Sequence, residues 1–256
     1  MKILDKKWAL MILGMVAACS TTPAGPSQEQ TDDVAATDTR QAAEVHHVGD
    51  RRTILEQGDL EGKIELGSLS DHSNLFAVGP VAGLRGEITI YNGQPSISTV
   101  VDGRPHIDES LAYEGIFLAY ADVPEWKAIP LKQPVEGSAE IEALILEQAR
   151  AAGVDVDRPF PFRLEGTAEQ LDYHIIFKSD DAPHNHTEHQ KAKKKFDIEQ
   201  RQVQIVGFAV PEGEVGVYTP ASGRIHMHFQ LPDNSESGHV DHVRLEQDTT
   251  LFLPVR

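Results

Sequence analysis

Three histidines near the end of the chain have the spacing of a metal site. His226 and His228 form H-M-H within R-I-H-M-H-F, and His239 follows in S-G-H-V. Side chains alternate between the two faces of a strand, so His226 and His228 project to the same side. The run from Leu231 to Ser237 favours a turn, and a hairpin there brings His239 beside the pair. We therefore predict that the three imidazoles converge on one point.

Zinc is the metal that this set of residues favours. Neutral imidazoles suit zinc, and three protein ligands leave positions open for water or substrate, as in catalytic rather than structural sites. Cys19 is the only cysteine, so the mature domain has neither a thiolate ligand nor an internal disulfide. The alternative interpretation is three surface histidines on a strand, which the coincidence of same-face spacing with a hairpin makes less favourable.

Other residues have weaker claims to a role. Glu87 ends the glycine-rich run G-P-V-A-G-L-R-G-E and starts a predicted strand, where it is either a proton-transfer group or an ordinary solvated strand end. His184, His186 and His189 lie in a polar insert that is typical of an exposed loop, so we interpret them as solvated histidines rather than a second metal site. His242 is either a supporting group behind His239 or an exposed residue.

The elements that must position these residues are mostly strands. One run, from Ser138 to Val154, has apolar residues at helical spacing, with Ser138 as a possible N-cap and Gly153 as a stop. We predict a mixed α+β fold with two sheet-rich domains and few helices, the zinc site lying on a hairpin of the second. Alternating hydrophobicity predicts strands at Gly62–Leu66, Gly86–Tyr91, Ile116–Tyr120, Asp172–Phe177, Gln204–Val210, Arg224–Gln230 and Val240–Leu245.

Composition excludes one class of function. The chain has 256 residues, of which 40% are hydrophobic, enough for a substantial core. Its net charge of -17 argues against nucleic-acid binding, which requires a basic face. A small-molecule or metal ligand fits better, and whether the protein forms a homodimer is left open.

The N-terminal segment predicts export. Residues 1–19 combine three lysines with a short apolar run, and V-A-A-C, ending at Cys19, resembles a bacterial lipobox. We expect cleavage there, a lipid on Cys19 and, from Ser20, sorting to the outer membrane facing the periplasm; the alternative is a short membrane anchor. Residues 20–48 read as a disordered tether. An N-terminal domain at 49–160 and a metal-binding domain at 161–256 then meet at the proline-rich junction D-V-D-R-P-F-P-F.

The order of the C-terminal motifs resembles the alpha-acetolactate decarboxylase family. The runs I-V-G-F-A-V-P, R-I-H-M-H-F and S-G-H-V follow one another as in that family, and L-E-G-K-I-E-L, G-P-V-A-G-L-R-G-E and R-L-E-G-T look like its upstream motifs. The resemblance covers most of the chain from Leu60 to Val255. It implies a carbon-carbon lyase in which His226, His228 and His239 hold zinc and Glu87 lies nearby as an acid. The implied reaction converts 2-acetolactate, or a related 2-hydroxy-3-oxo acid, to acetoin and carbon dioxide.

The chain departs from the family pattern in two places. Where the family has an arginine thought to hold the substrate carboxylate, this chain has His174, which cannot form the two-point clamp of a guanidinium. The family also has a second acid on a C-terminal tail, beyond the position of Arg256. Arg85 or Arg224 could replace the missing arginine, unless each is an ordinary solvated residue. Alternatively, His174 itself joins the zinc or donates a proton.

Two other functions remain open from the sequence. One is a non-catalytic periplasmic lipoprotein of the same fold that binds zinc or a small ligand. The other is a cupin-like β-sandwich enzyme, in which H-x-H on a strand also starts a metal site. That second alternative is weaker, because such sites add a Glu a few residues later and here Gln230 and Leu231 follow the pair.

Overall fold

The computed structural model describes residues 43–50, 53–54, 58–179, 185–217, 219 and 223–255. The predicted signal segment with Cys19 lies outside the described residues, as do most of the predicted tether and His184. Among the described residues, no helix has the length and apolar character needed to cross a membrane. The described part belongs to one compact unit, Arg40–Arg256.

Fifteen strands and two α-helices make up the described residues. The helices are α1 (Gly137–Ala152) and α2 (His186–Ala192), and short 3-10 turns lie at Leu66–Leu69, Ala82–Leu84 and Glu212–Glu214. The strands are β1 (His46–Val48), β2 (Ile64–Glu65), β3 (Leu75–Pro80), β4 (Glu87–Tyr91), β5 (Gln94–Val101), β6 (Arg104–Asp108), β7 (Glu114–Gly115), β8 (Leu118–Asp122), β9 (Trp126–Pro130), β10 (Val135–Glu136), β11 (Phe160–Ile176), β12 (Lys193–Ala209), β13 (Ile225–Gln230), β14 (Ser237–Leu245) and β15 (Thr250–Pro254).

The strands form two large antiparallel sheets. The first has six strands in the order β1-β8-β3-β4-β5-β6. The second has seven in the order β10-β14-β13-β12-β11-β15-β9, and it closes on itself because β14 also pairs with β11. This sheet-rich architecture with two helices confirms the predicted mixed α+β class. The domain limits stay a prediction, although β1 lies at the end of the predicted tether and β9, β10 and α1 pack with the second sheet.

Alternation along β13 explains where the site lies. Ile225, Met227 and Phe229 belong to the main apolar core, inside the closed part of the second sheet. His226 and His228 therefore point to the opposite face, which packs against the first sheet. That inter-sheet layer is a second apolar core, which includes Ala119 of the first sheet, Phe208 of the second and Phe117 just before β8. The histidines are thus held between two sheets rather than on an open surface.

Helix α1 follows its predicted pattern except at its start. Ile141, Ile145 and Ala149 are buried at helical spacing, and Gly153 ends the helix in the left-handed conformation with φ 80. The N-cap is Glu136 and makes no side-chain cap bond, so Ser138 lies inside the helix and its prediction as N-cap is wrong.

From Asn185 onward, the polar insert is not an exposed loop. Its second half forms α2, which begins where the side chain of Asn185 accepts a hydrogen bond from the backbone N–H of Glu188 at 3.0 Å. The polar composition reflects one helical face in water, while the other face packs on the protein. His189 lies on the packed face and is only 8% exposed, so its interpretation as a solvated histidine is wrong.

Candidate metal centre

Cross-strand pairing brings four imidazoles together. His228 pairs with His239 across the β13–β14 hairpin, and His239 pairs on its other side with His174 of β11. His226 lies two residues before His228, on the same face. The ring centroids of neighbouring imidazoles are 4.5 Å apart for His174 and His239 and 4.9 Å apart for His226 and His239.

The predicted triad has the geometry of a metal site. One ring nitrogen from each of His226, His228 and His239 lies within 4.8 Å of the other two. His226 Nε2 is 3.1 Å from His239 Nδ1, within hydrogen-bond distance, so these two nitrogens face each other. The structure therefore brings together the three residues whose convergence was predicted from strand alternation and a hairpin.

His228 shows most clearly that the site fits a cation. Its ring is fully buried, and Nδ1 lies 3.1 Å from the hydroxyl of Thr89 on β4. That contact fixes the ring and leaves Nε2 directed at the cluster, as the outer partners of metal-bound histidines do. Nε2 is buried and has no hydrogen-bond partner among the described residues. A buried polar nitrogen without a partner is costly, and a bound metal ion would satisfy it.

The histidines are held in the form that binds metal. Burial lowers the pKa of His228 and of His239 well below the usual value of 6.5, and the neighbouring imidazoles lower both further. Both rings are therefore neutral near pH 7, each with a lone pair available.

This protonation state predicts a pH dependence for the metal-free protein. Above about pH 6.5 the two histidines are neutral in both folded and unfolded states and have no effect. Below that pH the two histidines bind protons in the unfolded chain but stay neutral in the folded site. The free energy of unfolding therefore falls by at most about 1.4 kcal/mol per pH unit for each group. Chemical denaturation of the metal-free protein between pH 7.5 and 5 measures this slope. His228→Gln should make it shallower; an unchanged slope would contradict neutral burial of His228.

Glu87 and His174 complete the polar side of the site. Glu87 is 3% exposed, with Oε1 3.9 Å from His174 Nε2 and Oε2 3.8 Å from His228 Nε2. The backbone N–H of Ile176 donates to Oε1 at 3.2 Å and fixes the carboxyl group. Glu87 thus faces the imidazoles instead of forming a solvated strand end.

Asp241 orients His174. His174 Nδ1 lies 2.9 Å from Asp241 Oδ1, which leaves Nε2 pointing toward Glu87. Burial raises the pKa of Asp241, but the hydrogen bond and charge of His174 outweigh it, and the net pKa is lowered. With His239, these two residues form a second group that could hold a metal ion. Asp241 was not singled out from sequence, because its contact with His174 depends on a β11–β14 pairing that residue spacing does not reveal.

A small cavity opens onto the cluster. Its volume is about 50 Å³, room for a few water molecules at roughly 10–15 Å³ each. The wall combines apolar side chains with imidazoles, one carboxyl group and one ammonium. It is lined by Ile54, Pro80, Leu84, Glu87, Phe117, His174, Ile176, His189, Lys193, His226 and His239.

Neither candidate arginine lines this cavity. Arg224 Nε donates to the carbonyl of Val210 at 2.7 Å, so its guanidinium ties two chain segments together. Arg85 Nη1 donates to the carbonyl of Lys178 at 2.6 Å, and the guanidinium lies 4.9 Å from the ring centre of Phe177. His242 also lies elsewhere, with Nε2 3.4 Å from Glu136 Oε1. Of the residues predicted from sequence as acting on substrate, the structure brings Glu87 and His174 to the metal cluster and does not bring Arg224.

Gly238, in S-G-H-V, is needed for the close approach of β14 to β11. A Cβ at this position would lie 2.6 Å from Tyr173 Cδ2 and 3.0 Å from the carbonyl oxygen of His174. We expect Gly238→Ala to push the strands apart, to destabilise the protein by about 1–3 kcal/mol, and to weaken zinc binding by displacing His239. Denaturation and zinc titration measure the two effects. Gly213→Ala, where a Cβ meets nothing within 4 Å, is the control; equal effects of the two substitutions would contradict this role.

Comparison with known proteins identifies the family and the fold of the chain. Residues 51–253 match the family model of alpha-acetolactate decarboxylase. The chain is similar in structure to alpha-acetolactate decarboxylase from Bacillus subtilis strain 168, with a TM-score of 0.66, 18% identity, and coverage of 83% of this chain and 86% of the other. It is also similar to a Staphylococcus aureus protein of unknown function described as similar to alpha-acetolactate decarboxylase, with a TM-score of 0.66, 16% identity, and coverage of 81% and 84%. No curated protein matched the chain significantly. The family match spans most of the chain, and the protein therefore belongs to the alpha-acetolactate decarboxylase family.

Proposed function

We propose that this protein is a zinc-dependent decarboxylase that converts 2-acetolactate, or a related 2-hydroxy-3-oxo acid, to acetoin and carbon dioxide. The observation that carries the proposal is the convergence of three imidazoles with a buried carboxyl group. The metal-binding nitrogens lie within 4.8 Å of one another, and Glu87 Oε2 lies 3.8 Å from His228 Nε2. Membership of a decarboxylase family gives the reaction class.

In this proposal the three histidines act as metal ligands and take no part in proton transfer. His226, His228 and His239 would hold zinc through three nitrogens. When bound, zinc supplies a Lewis acid that stabilises the negative charge developing on the substrate's keto oxygen as the carboxyl carbon leaves. The burial of the site strengthens that electrostatic effect by excluding water.

Glu87 is the proton donor in this proposal. Loss of carbon dioxide breaks the bond between C1 and C2 of the substrate and leaves an electron pair that must be captured by a proton at C2. Glu87 Oε1 accepts the Ile176 N–H at 3.2 Å, so Oε2 is the oxygen left to carry that proton toward the cavity. His174 Nε2 is 3.9 Å from Oε1 and is placed to help return a proton to Glu87 after each turnover.

The apolar wall fits the rest of such a substrate. Leu84, Phe117 and Ile176 are among the residues that line the cavity. Methyl groups on a small branched acid would be buried there without leaving any polar group unsatisfied. The same wall keeps bulk water from the carbon that is protonated.

Product identification tests this proposal. Zinc-loaded protein is mixed with racemic 2-acetolactate labelled with carbon-13 at the carboxyl group, and carbon dioxide and acetoin are followed by NMR. We expect both products in equal amounts, and only the spontaneous background from protein that carries His226→Ala. Zinc binding with no product above background would reject the proposal in favour of a non-catalytic zinc- or ligand-binding protein of the same fold.

We also propose that the protein is exported and anchored through a lipid on Cys19, on the basis of the V-A-A-C motif. Expression in a bacterium with two membranes, followed by labelling with a fatty-acid analogue and membrane fractionation, tests this. Cys19→Ala should abolish both the label and the membrane association. Equal labelling of both forms would contradict lipidation at Cys19.

A further inference from the structure

A lysine on the insert occupies the position from which a substrate anion can be bound. His189 lies in α2, and Lys193, four residues later, is the first residue of β12. Both line the cavity of the metal cluster. The insert that looked like a solvated loop in the sequence therefore forms one wall of the site.

The cavity needs a cation if its ligand is an acid. The whole chain carries a net charge of -17, and Glu87 is already in the cavity wall. An entering carboxylate would be repelled by both unless a positive group faced it. Among the described residues that line the cavity, Lys193 is the one Lys or Arg.

Strand pairing places Lys193 beside the residue that fixes Glu87. Lys193 pairs in register with Ile176, whose N–H donates to Glu87 Oε1 at 3.2 Å, so one backbone pair positions both the proposed cation and the proposed acid.

We propose that Lys193 binds the carboxylate of the substrate, supported by His189 in the same cavity wall, and so determines that the site takes 2-hydroxy acids rather than neutral hydroxy ketones. This rests on the proposed decarboxylase function and adds the residue that selects the anion. A single ammonium replaces the two-point clamp of a guanidinium. It also allows the carboxylate more freedom to leave as neutral carbon dioxide.

Carboxylate binding by Lys193 predicts that its replacement changes KM more than kcat. A cation that holds the carboxylate in the starting complex assists binding more than the bond-breaking step. Lys193→Met should therefore raise KM for 2-acetolactate at least tenfold and lower kcat less than threefold. Lys193→Arg should retain most of the wild-type KM. Lys194→Met, an exposed neighbour whose Nζ donates to the carbonyl of Lys191, is the matched control and should change neither constant.

Binding of an unreactive pair of ligands separates this inference from the proposed reaction. Calorimetry on the zinc-loaded full chain compares 2-hydroxyisobutyrate with 2-methylpropane-1,2-diol, which has the same skeleton without the charge. We expect wild-type protein and the Lys194→Met variant to bind the acid more tightly than the diol. In the Lys193→Met variant, the ratio of the two dissociation constants should fall at least tenfold. Lys193→Gln repeats the test should the Met variant fold poorly. An undiminished preference in both variants, or none in wild type, overturns the inference. If the protein forms no acetoin but still binds the acid more tightly than the diol, and this difference depends on Lys193, only the proposed decarboxylase function is rejected.

Discussion

Replacing His226 by alanine will remove zinc from the protein and abolish decarboxylation. His226 supplies one of three nitrogens within 4.8 Å of one another, and the side chain is 4% exposed. Two histidines alone do not hold zinc tightly, and solvent cannot readily fill a buried ligand position. We expect bound zinc to fall from one ion per chain to a small fraction of that at micromolar concentrations. The decarboxylation rate should fall by about a thousandfold or more, toward the uncatalysed rate.

Metal analysis after desalting, together with the rate of acetoin formation, measures the effect. His72→Ala is the control, because His72 is an exposed histidine distant from the cluster in the structure, hydrogen-bonded to Asp122. It should keep both zinc and activity. Full zinc occupancy in the His226→Ala protein would show that the ion is held elsewhere, for which the group of His174, His239 and Asp241 is the structural alternative.

Glu87→Gln will have the second largest effect on the decarboxylation rate, and unlike His226→Ala it will leave zinc binding intact. Glutamine has the same shape, and its amide oxygen can still accept the N–H of Ile176, so the local structure should persist. What is lost is the proton that the carboxyl group exchanges with the substrate, a contribution of typically 10²–10⁴-fold in rate. We therefore expect kcat to fall by about that range while zinc occupancy stays at one ion per chain.

Rates and zinc content measured on the same preparations separate acid catalysis from metal binding. Glu147→Gln, an exposed position on α1, is the matched control and should leave both unchanged. Loss of zinc together with activity in the Glu87→Gln protein would mean that Glu87 is a ligand rather than the acid. Unchanged activity would remove Glu87 from the reaction.

The metal triad could be predicted from sequence because its geometry is local. His226 and His228 are two residues apart on one strand, and a six-residue turn, Leu231–Glu236, brings His239 opposite. Strand alternation and turn propensity determine such an arrangement without knowledge of the rest of the fold. Family resemblance placed Glu87 at the site. The sequence around Glu87 predicted only the start of a strand.

The remaining residues of the site depend on contacts between distant parts of the chain. Asp241 meets His174 only because β14 folds back on β11, closing the second sheet. His189 and Lys193 enter the cavity only because the polar insert forms a helix with one packed face. The signal for that helix was present in Asn185, an N-cap residue four positions before His189. It was masked by a composition that usually marks a solvated loop.

The two longest strands also depend on contacts that residue spacing does not reveal. β11 and β12 each have 17 residues, but apolar alternation predicted only short parts of them. The first half of β12 alternates poorly because most of its side chains are exposed to water, where polar residues are tolerated on either face, whereas β11 is buried or half-buried along nearly its whole length. The pairing of β11 with β12 along nearly its whole length, rather than side-chain pattern, makes these segments extended.

Zinc titration of the metal-free protein with decarboxylation as the readout tests the central claim most directly. Chelated protein is supplied with increasing zinc at fixed 2-acetolactate, and bound zinc and acetoin formation are measured on the same samples. The account predicts that the rate rises linearly from the spontaneous background and reaches a plateau at one zinc ion per chain. A rate that stays at background when one ion is bound, or that is already maximal without zinc, would contradict it.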